Sequence, residues 1–219
     1  IGTKVRITVY RKMNNETMSF EIMRGRVPIK SVESAQMISS DVGYLKLVRF
    51  SEPTALEFAA ATDKLLEKGM NKLILDLRDN GGGYLQPAVD IADQFLRDGS
   101  MIVYTEGRYN GRMNHFSSNR GKLKDKTLIV LINENSASAS EIVAGAIQDN
   151  DRGLIMGRQS FGKGLVQEPI PLSDGSAIRL TVARYYTPSG RCIQRPYGKG
   201  IDYDADYLDR YKNGALYSL

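Results

Sequence analysis

Between residues 42 and 157, segments with strand periodicity alternate with segments of helical periodicity, and this alternation constrains the fold more than any other feature. Strand-length segments lie at 42–50, 71–79, 101–107, 127–132 and 153–157, and helical segments lie between them at 52–70, 85–99 and 140–150. Because strands and helices that follow one another in turn build parallel sheets with right-handed crossovers, the sequence predicts an α/β fold with a mostly parallel sheet.

The first 26 residues stand apart from this alternating region. Residues 4–10 and 19–24 alternate polar and apolar side chains on either side of an Asn-Asn turn signal, which predicts a β-hairpin. Gly25 and Pro28 favour a boundary near residue 26.

We therefore assign residues 1–26 to one unit and residues 27–219 to the main domain. The end of the main domain, residues 196–219, is polar and rich in Tyr, Asp and Gly. This composition predicts an irregular tail, or a helix on the surface.

Composition is that of an ordinary globular protein. Of the 219 residues, 42% are hydrophobic and 25% are charged, with a net charge of +5. The longest apolar run, 128–132, is far shorter than the ~18 residues of a membrane span. We therefore expect no membrane span. The basic residues of 108–126 have few interleaved aromatic side chains, Phe116 among them, and are better explained as a solvated loop than as a nucleic-acid site. The lone cysteine, Cys192, excludes an internal disulfide.

Three serines, Ser136, Ser138 and Ser140, lie where the apolar strand at 127–132 passes into the helix at 140–150. This edge of the sheet carries the functional site in α/β proteins, and the first amides of a helix are unpaired and partly positive. Such amides stabilise the oxyanion of acyl transfer, so a serine here is well placed as a nucleophile. Serine is also a preferred N-cap, and each serine taken alone is better explained as a cap.

A serine nucleophile needs a base, and the composition leaves few. The single histidine, His115, lies in a polar loop without an acid beside it. A lysine works as a base only when it is neutral, which requires burial to lower its pKa from about 10.4. Lys163 lies between two glycines in an apolar stretch. The rival, Lys46, is turned away from the apolar face of its strand.

Gln167 follows Lys163 by four residues. Positions i and i+4 of a strand share a face, so the carboxamide would hold the lysine amine in line with the serine. The alternative is an ordinary surface glutamine.

Residues 157–164, GRQSFGKG, also match the opening of a phosphate-binding loop, G-x-x-x-x-G-K. Gly164 stands where that motif has Ser or Thr, and the segment that follows has strand character and contains Pro169 and Pro171. A nucleotide hydrolase is therefore a remote alternative. The glycine run at 81–83 lacks dinucleotide-binding spacing and predicts either a tight turn or a loop whose amides face an oxyanion.

Four sequence blocks occur in order: LRDNGGG, SASASEIVAGAIQDNDRGLIMG, SFGKGLVQ and YYTPSGRCI. Together they resemble the core of the C-terminal processing (tail-specific) serine proteases over residues 28–197. The resemblance implies an α/β core of the crotonase or Clp-protease type. It also implies a serine endopeptidase that cleaves proteins near their C-termini with a Ser–Lys dyad, and no metal or other cofactor.

By this resemblance, Ser138 is the nucleophile, Lys163 is the base and Gln167 positions the lysine. Asp149 matches an acid sometimes grouped with the dyad, although a structural contact at the helix end explains it as well. A non-catalytic peptide-binding module with a misaligned dyad remains the alternative.

The resemblance further implies that the oxyanion hole consists of the Ala139 amide and one amide from Gly82 or Gly83. The substrates would be proteins or peptides with free C-termini.

The hairpin at 4–23 is similar to the closing strands of a PDZ domain, which precedes the core in this family and captures substrate C-termini by strand addition. The carboxylate-binding loop and most strands of such a domain are absent here, so we interpret residues 1–26 as a PDZ remnant and residue 1 as the start of a fragment. The resemblance also implies a location in the bacterial cell envelope or periplasm, and leaves open whether the chain forms a homo-oligomer.

Overall fold

A computed structural model of the protein describes residues 1–27, 29–198 and 200–216, apart from the side chains of residues 203 and 204. The chain divides into two units, Ile1–Lys30 and Ser31–Leu219. The boundary predicted near residue 26 therefore falls inside the first unit, and Pro28 lies outside the described residues.

The first unit is the predicted hairpin. Strands β1 (Lys4–Arg11) and β2 (Glu16–Met23) pair antiparallel, with Val5 opposite Ile22. The assignment of this hairpin to a PDZ domain stays a prediction.

The second unit contains the remaining elements in an order that follows the sequence alternation. They are β3 (Val32–Met37), β4 (Val42–Leu47), α1 (Thr54–Glu67), β5 (Lys72–Asp76), α2 (Leu85–Asp93), β6 (Met101–Glu106), β7 (Met113–Phe116), β8 (Thr127–Ile132), α3 (Ala139–Asp149), β9 (Leu154–Gly157), β10 (Leu165–Pro171), β11 (Ala177–Tyr186) and α4 (Tyr203–Lys212).

The main sheet has five strands in the order β3-β4-β5-β8-β9. Strands β4, β5, β8 and β9 are parallel to one another, and β3 pairs antiparallel with β4. The predicted α/β fold with a mostly parallel sheet is confirmed. Buried side chains of the sheet, such as Leu75 and Val130, pack with helix residues such as Phe58, Ile91 and Ile147 in one core.

A second sheet was not predicted. Strands β10, β11, β6 and β7 form an antiparallel sheet in that order. The segment at 101–107 is a strand as expected but belongs to this sheet, and β7 lies in the expected loop at 108–126. Val103 pairs with His115, and such partners come from tertiary contacts rather than from the periodicity of the segment.

Of the two alternatives predicted for the tail, irregular structure or a surface helix, the structure has the helix α4. Asp206 forms an ion pair with Arg195, and the Arg210 guanidinium donates to main-chain carbonyls of residues 159 and 160. These long-range contacts stabilise a helix whose own sequence is strongly polar. Residues 199 and 217–219 of the predicted tail lie outside the described residues. None of the helices in the described part of the chain combines the length and the apolar content needed to cross a bilayer.

Candidate active site

The turn between β8 and α3 holds Ser138 in a rarely populated backbone conformation. Its φ is 56° and its ψ is −112°, a region that residues with a Cβ atom avoid. Strain of this kind concentrates at functional sites, and a nucleophilic serine on a sharp strand-to-helix turn is one established example. The backbone therefore singles out Ser138 from its neighbours.

Hydrogen bonding separates the three serines in the same way. Ser136 and Ser140 are both 0% exposed, and their hydroxyls donate to the carbonyls of Leu77 and Asn80, each over 2.8 Å. Ser138 is half-buried, and its hydroxyl donates to no acceptor among the described residues. Ser136 and Ser140 thus link the turn to the segment after β5, and Ser138 is the serine left for chemistry.

The Ala139 amide lies at the start of α3, and within the described part of the chain it has no hydrogen-bond acceptor. The two glycines differ. The Gly82 amide donates to Asn80 Oδ1 over 2.9 Å, so of the two predicted alternatives its amide is the one already occupied. The Gly83 amide has no acceptor in the described residues, because the hydrogen bonds to Phe50 use the Gly82 carbonyl and the Tyr84 amide instead.

Gly82 nevertheless contributes to the site through its missing side chain. A Cβ atom there would lie 2.5 Å from the Ala137 carbonyl oxygen and 2.8 Å from the Ala139 nitrogen, and its φ is +89°. The glycine run therefore packs directly against the serine turn, where only glycine fits.

Glu141 is the site residue that the sequence analysis missed. It is 6% exposed, and its Oε2 accepts hydrogen bonds from the Ser138 amide over 2.7 Å and the Lys163 amide over 2.8 Å. Its Oε1 accepts from the Ser160 hydroxyl and the Gly162 amide, each over 2.7 Å. Burial raises the pKa of Glu141, and these hydrogen bonds act in the opposite direction. The pattern Ser138-x-x-Glu141 is a capping box, a sequence signal that points to this carboxylate.

One oxygen of Glu141 thus serves both members of the predicted dyad. Because the Ser138 and Lys163 amide nitrogens lie 2.7 and 2.8 Å from the same atom, they are within 5.5 Å of each other. The main chains of residues 138 and 163, which are distant in sequence, therefore lie side by side.

Although the main chain of Lys163 lies beside that of Ser138, the Lys163 side chain does not contact the site. It is exposed, and in the described residues its Nζ forms no hydrogen bond or ion pair, including none with Ser138 Oγ. The predicted burial of this lysine is wrong for this arrangement. Lys163 lies in the irregular segment 158–164, here called the lysine loop, and Phe161 stacks on the Arg195 guanidinium instead of covering the amine.

The strand β10 that follows the lysine loop excludes a phosphate-binding loop, which must lead into a helix. The same boundary undermines the predicted role of Gln167, since Lys163 precedes the strand and a bulge lies between Val166 and Gln167. Strand alternation therefore does not relate the two side chains. Gln167 is exposed and donates to Thr181 Oγ1 over 3.5 Å, and the structure does not bring it to Lys163.

Asp149 lies at the opposite end of α3 from Ser138, roughly 16 Å away along an eleven-residue helix. Its Oδ2 accepts hydrogen bonds from the amide and the hydroxyl of Ser189 over 3.0 and 2.6 Å, and it pairs with Arg191. Burial raises its pKa, but hydrogen bonds to Ser189, Thr187 and Arg191 outweigh burial and leave it lowered. The structural explanation holds, and the structure does not place Asp149 with the dyad.

The two rival bases belong to other parts of the structure. His115 lies on β7 and is half-buried, and burial lowers its pKa. Lys46 forms an ion pair with Glu33 over 3.5 Å. Neither contacts Ser138 in the described part of the chain.

Comparisons with known proteins show which family this chain resembles. The family model described as Peptidase family S41 matches residues 41–207. The chain is 44% identical over 208 residues to a carboxy-terminal-processing protease of Bartonella bacilliformis, and 41% identical over 198 residues to a carboxyl-terminal-processing protease of Synechocystis. Among solved structures, it is similar to a photosystem II D1 C-terminal processing protease, with 32% identity and a TM-score of 0.68.

These matches cover most of this chain but only part of its relatives. They include 93% and 89% of this chain and 46% of each curated relative, and 88% of this chain against 53% of the solved structure. The chain therefore spans about half the length of the curated relatives it matches. The resemblance found in the four sequence blocks is confirmed, and the chain belongs to peptidase family S41.

Proposed function

We propose that this chain carries the catalytic core of a serine endopeptidase that cleaves protein substrates near their C-termini, with Ser138 as nucleophile and Lys163 as base. The observation that carries the proposal is the Glu141 carboxylate, whose Oε2 holds the amides of both residues. The family and the names of the relatives support the reaction class.

The chemistry follows from these positions. Ser138 Oγ attacks the scissile carbonyl while a neutral Lys163 amine accepts its proton. The amides of Ala139 and Gly83 stabilise the oxyanion. Lys163 then protonates the leaving amine and activates the water that hydrolyses the acyl-enzyme.

Lys163 must change its side-chain conformation before it acts. With the two amide nitrogens within 5.5 Å, the main chains are already in place. A lysine has a flexible four-carbon stem, so rotation about its side-chain bonds suffices to bring the amine to Ser138. A bound substrate would exclude water from the rotated amine, and surroundings without water disfavour a charged group. Gln167 would then contact the amine, as the family resemblance implies.

A second candidate is a non-catalytic peptide-binding module. The observation that favours it is the exposed Lys163 side chain, which does not contact Ser138 in the described residues. Such a module would bind C-termini without cleaving them.

The proposal is tested by incubating the wild type, Ser138→Ala and Lys163→Ala with an unfolded protein that has an apolar C-terminus, and mapping the products by mass. We expect cleavage by the wild type only, with each variant losing at least about a thousandfold in rate. Lys46→Ala removes a lysine outside the site and serves as the matched control. Full activity of either dyad variant would refute the mechanism, and binding without cleavage by the wild type would establish the second candidate.

We also propose that the substrates are proteins or peptides with free C-termini and that the protein acts in the bacterial cell envelope. Both proposals rest on family membership. The assignment of residues 1–26 to a PDZ domain rests on the hairpin that these residues form.

A further inference from the structure

The lysine loop is held from two sides by buried groups of opposite charge. On one side, Glu141 accepts from the Gly162 and Lys163 amides and from the Ser160 hydroxyl. On the other side, Arg210 Nη2 of helix α4 donates to the carbonyls of Gln159 and Ser160, over 3.1 and 2.7 Å. The carboxylate thus binds donors of the loop, and the guanidinium binds its acceptors.

Arg210 is buried, and no carboxylate among the described residues pairs with it. It is 9% exposed, it forms no ion pair with a carboxylate in the described part of the chain, and its Nε has no hydrogen-bond partner there. Burial of a guanidinium costs free energy unless its hydrogen bonds compensate for the lost hydration. The partners it does have are the two carbonyls of the lysine loop.

Packing alone does not fix the loop on this side. A cavity of about 480 Å³ lies between the lysine loop and α4, and its lining includes Glu141, Ser160, Gly162 and Arg210. Because a cavity offers few van der Waals contacts, hydrogen bonds restrain the loop here. Those of Glu141 and Arg210 act together with the bonds from the Phe161 amide to the Ser136 carbonyl and from the Arg195 amide to the Gly162 carbonyl. Helix α4 is itself held by the ion pair between Asp206 and Arg195, one turn before Arg210.

We propose that Arg210 is a positioning residue for catalysis. It holds the main chain of the lysine loop so that Lys163 can reach Ser138 by side-chain rotation, and it thereby makes helix α4 part of the catalytic apparatus. This inference rests on the proposed function, because it assumes that Lys163 is the base.

The test compares Arg210→Met and Arg210→Lys with Lys212→Met, which removes an exposed positive charge from the same helix. Two measurements are made on each variant: kcat and KM with a peptide substrate, and hydrogen exchange of the Gly162 and Lys163 amides. Hydrogen exchange reports on the loop whether or not Lys163 is catalytic, so a failure of the proposed function is distinguished from a failure of this inference.

For Arg210→Met we expect kcat to fall about tenfold or more with KM changed less than about twofold, since misplacement of a catalytic group affects mainly the chemical step. The two loop amides should exchange faster. Arg210→Lys retains one charged donor and should recover part of the rate, and Lys212→Met should match the wild type in both measurements.

Unchanged exchange and kcat in Arg210→Met would overturn the inference, as would an equal loss in Lys212→Met. If Arg210→Met fails to fold, Arg210→Lys decides: an intermediate kcat with faster loop exchange supports the inference. Failure of both variants to fold overturns it, because Arg210 would then support the fold rather than the loop.

Discussion

The two halves of the proposed dyad are built in different ways. The serine side is a turn of six residues between β8 and α3 with a strained conformation at Ser138, and the buried hydroxyls of Ser136 and of Ser140 in α3 tie it to the segment after β5. The lysine side is an irregular loop in which the Lys163 side chain is exposed. The nucleophile is therefore preorganised by buried hydrogen bonds, whereas the side chain of the base is not held in place.

This difference indicates that the rate of catalysis depends mainly on the position of the lysine side. The serine turn is fixed by buried hydrogen bonds to the segment after β5, whereas the lysine loop is held by hydrogen bonds to several elements, among them those of Glu141 and Arg210. Substitutions on the lysine side should therefore affect rate more than stability.

Glu141→Gln should have the largest effect on kcat, because it disrupts the carboxylate that binds the amides of both Ser138 and Lys163. The carboxamide has one acceptor oxygen in place of two and directs its NH₂ group at amide donors, which leaves buried amides unpaired. We expect kcat to fall about a hundredfold in steady-state assays.

The matched control for that substitution is Glu57→Gln, since Glu57 also accepts two main-chain amides, from Ser31 and Val32. It should lower the melting temperature without changing kcat per folded molecule. A kcat of Glu141→Gln within twofold of the wild type would show that this carboxylate is dispensable.

Gly82→Ala tests the serine side. Its Cβ would lie 2.5 Å from the Ala137 carbonyl oxygen, and its φ is +89°. We expect a loss of roughly 2–3 kcal/mol in the free energy of unfolding, measured by denaturant titration, together with reduced cleavage. Gly81→Ala, with nothing near its Cβ, should stay within about 0.5 kcal/mol. Equal losses in the two variants would contradict the close approach at Gly82.

The Gln167→Ala variant tests whether the Lys163 side chain rotates towards Gln167 in the active conformation. If the active conformation brings the Lys163 amine to Gln167, kcat should fall about tenfold while the melting temperature is unchanged, because the side chain is exposed. Gln36→Ala changes another exposed strand glutamine and controls for loss of surface polarity. Identical rates in both variants would mean that Gln167 takes no part.

Asp149→Asn should have the smallest effect on rate. We expect unchanged kcat and a loss of about 1–2 kcal/mol in unfolding free energy at pH 7. The pKa of Asp149 is lowered from 3.8 in the folded protein, so its ionised form contributes stability above pH 3.8 and that contribution is lost as the pH falls through the folded pKa.

Melting temperatures of the wild type and Asp149→Asn should therefore converge as the pH is lowered from 7 to below 3.8. Asp151→Asn, at an exposed position two residues away, should show no such convergence. A lower kcat in Asp149→Asn at pH 7 would place this carboxylate in the mechanism after all.

Sequence periodicity predicted the parallel strands correctly because each of them is a short segment of strand periodicity next to a helical segment. It did not predict β7, whose four residues form a strand only because β6 offers hydrogen-bond partners. For α4 the sequence left a helix and an irregular tail as alternatives, because its contacts through Arg195 and Arg210 are made with residues outside the helix.

At the site, the identities of the nucleophile and the base came from short motifs, because chemistry requires particular side chains at particular turns. The details that failed were relations between segments: the bulge before Gln167 and the exposure of Lys163. The capping box was visible in the sequence, but its second partner, the lysine loop, was not.

The sequence by itself determined the order of strands and helices, the family and the candidates Ser138 and Lys163, since these depend on local periodicity and motif. Only the tertiary structure decided that one buried carboxylate joins the two residues and that a C-terminal arginine supports the loop. Hydrogen bonds between segments far apart along the chain depend on where folding places each donor and acceptor. Local sequence patterns do not specify the distance between those two groups.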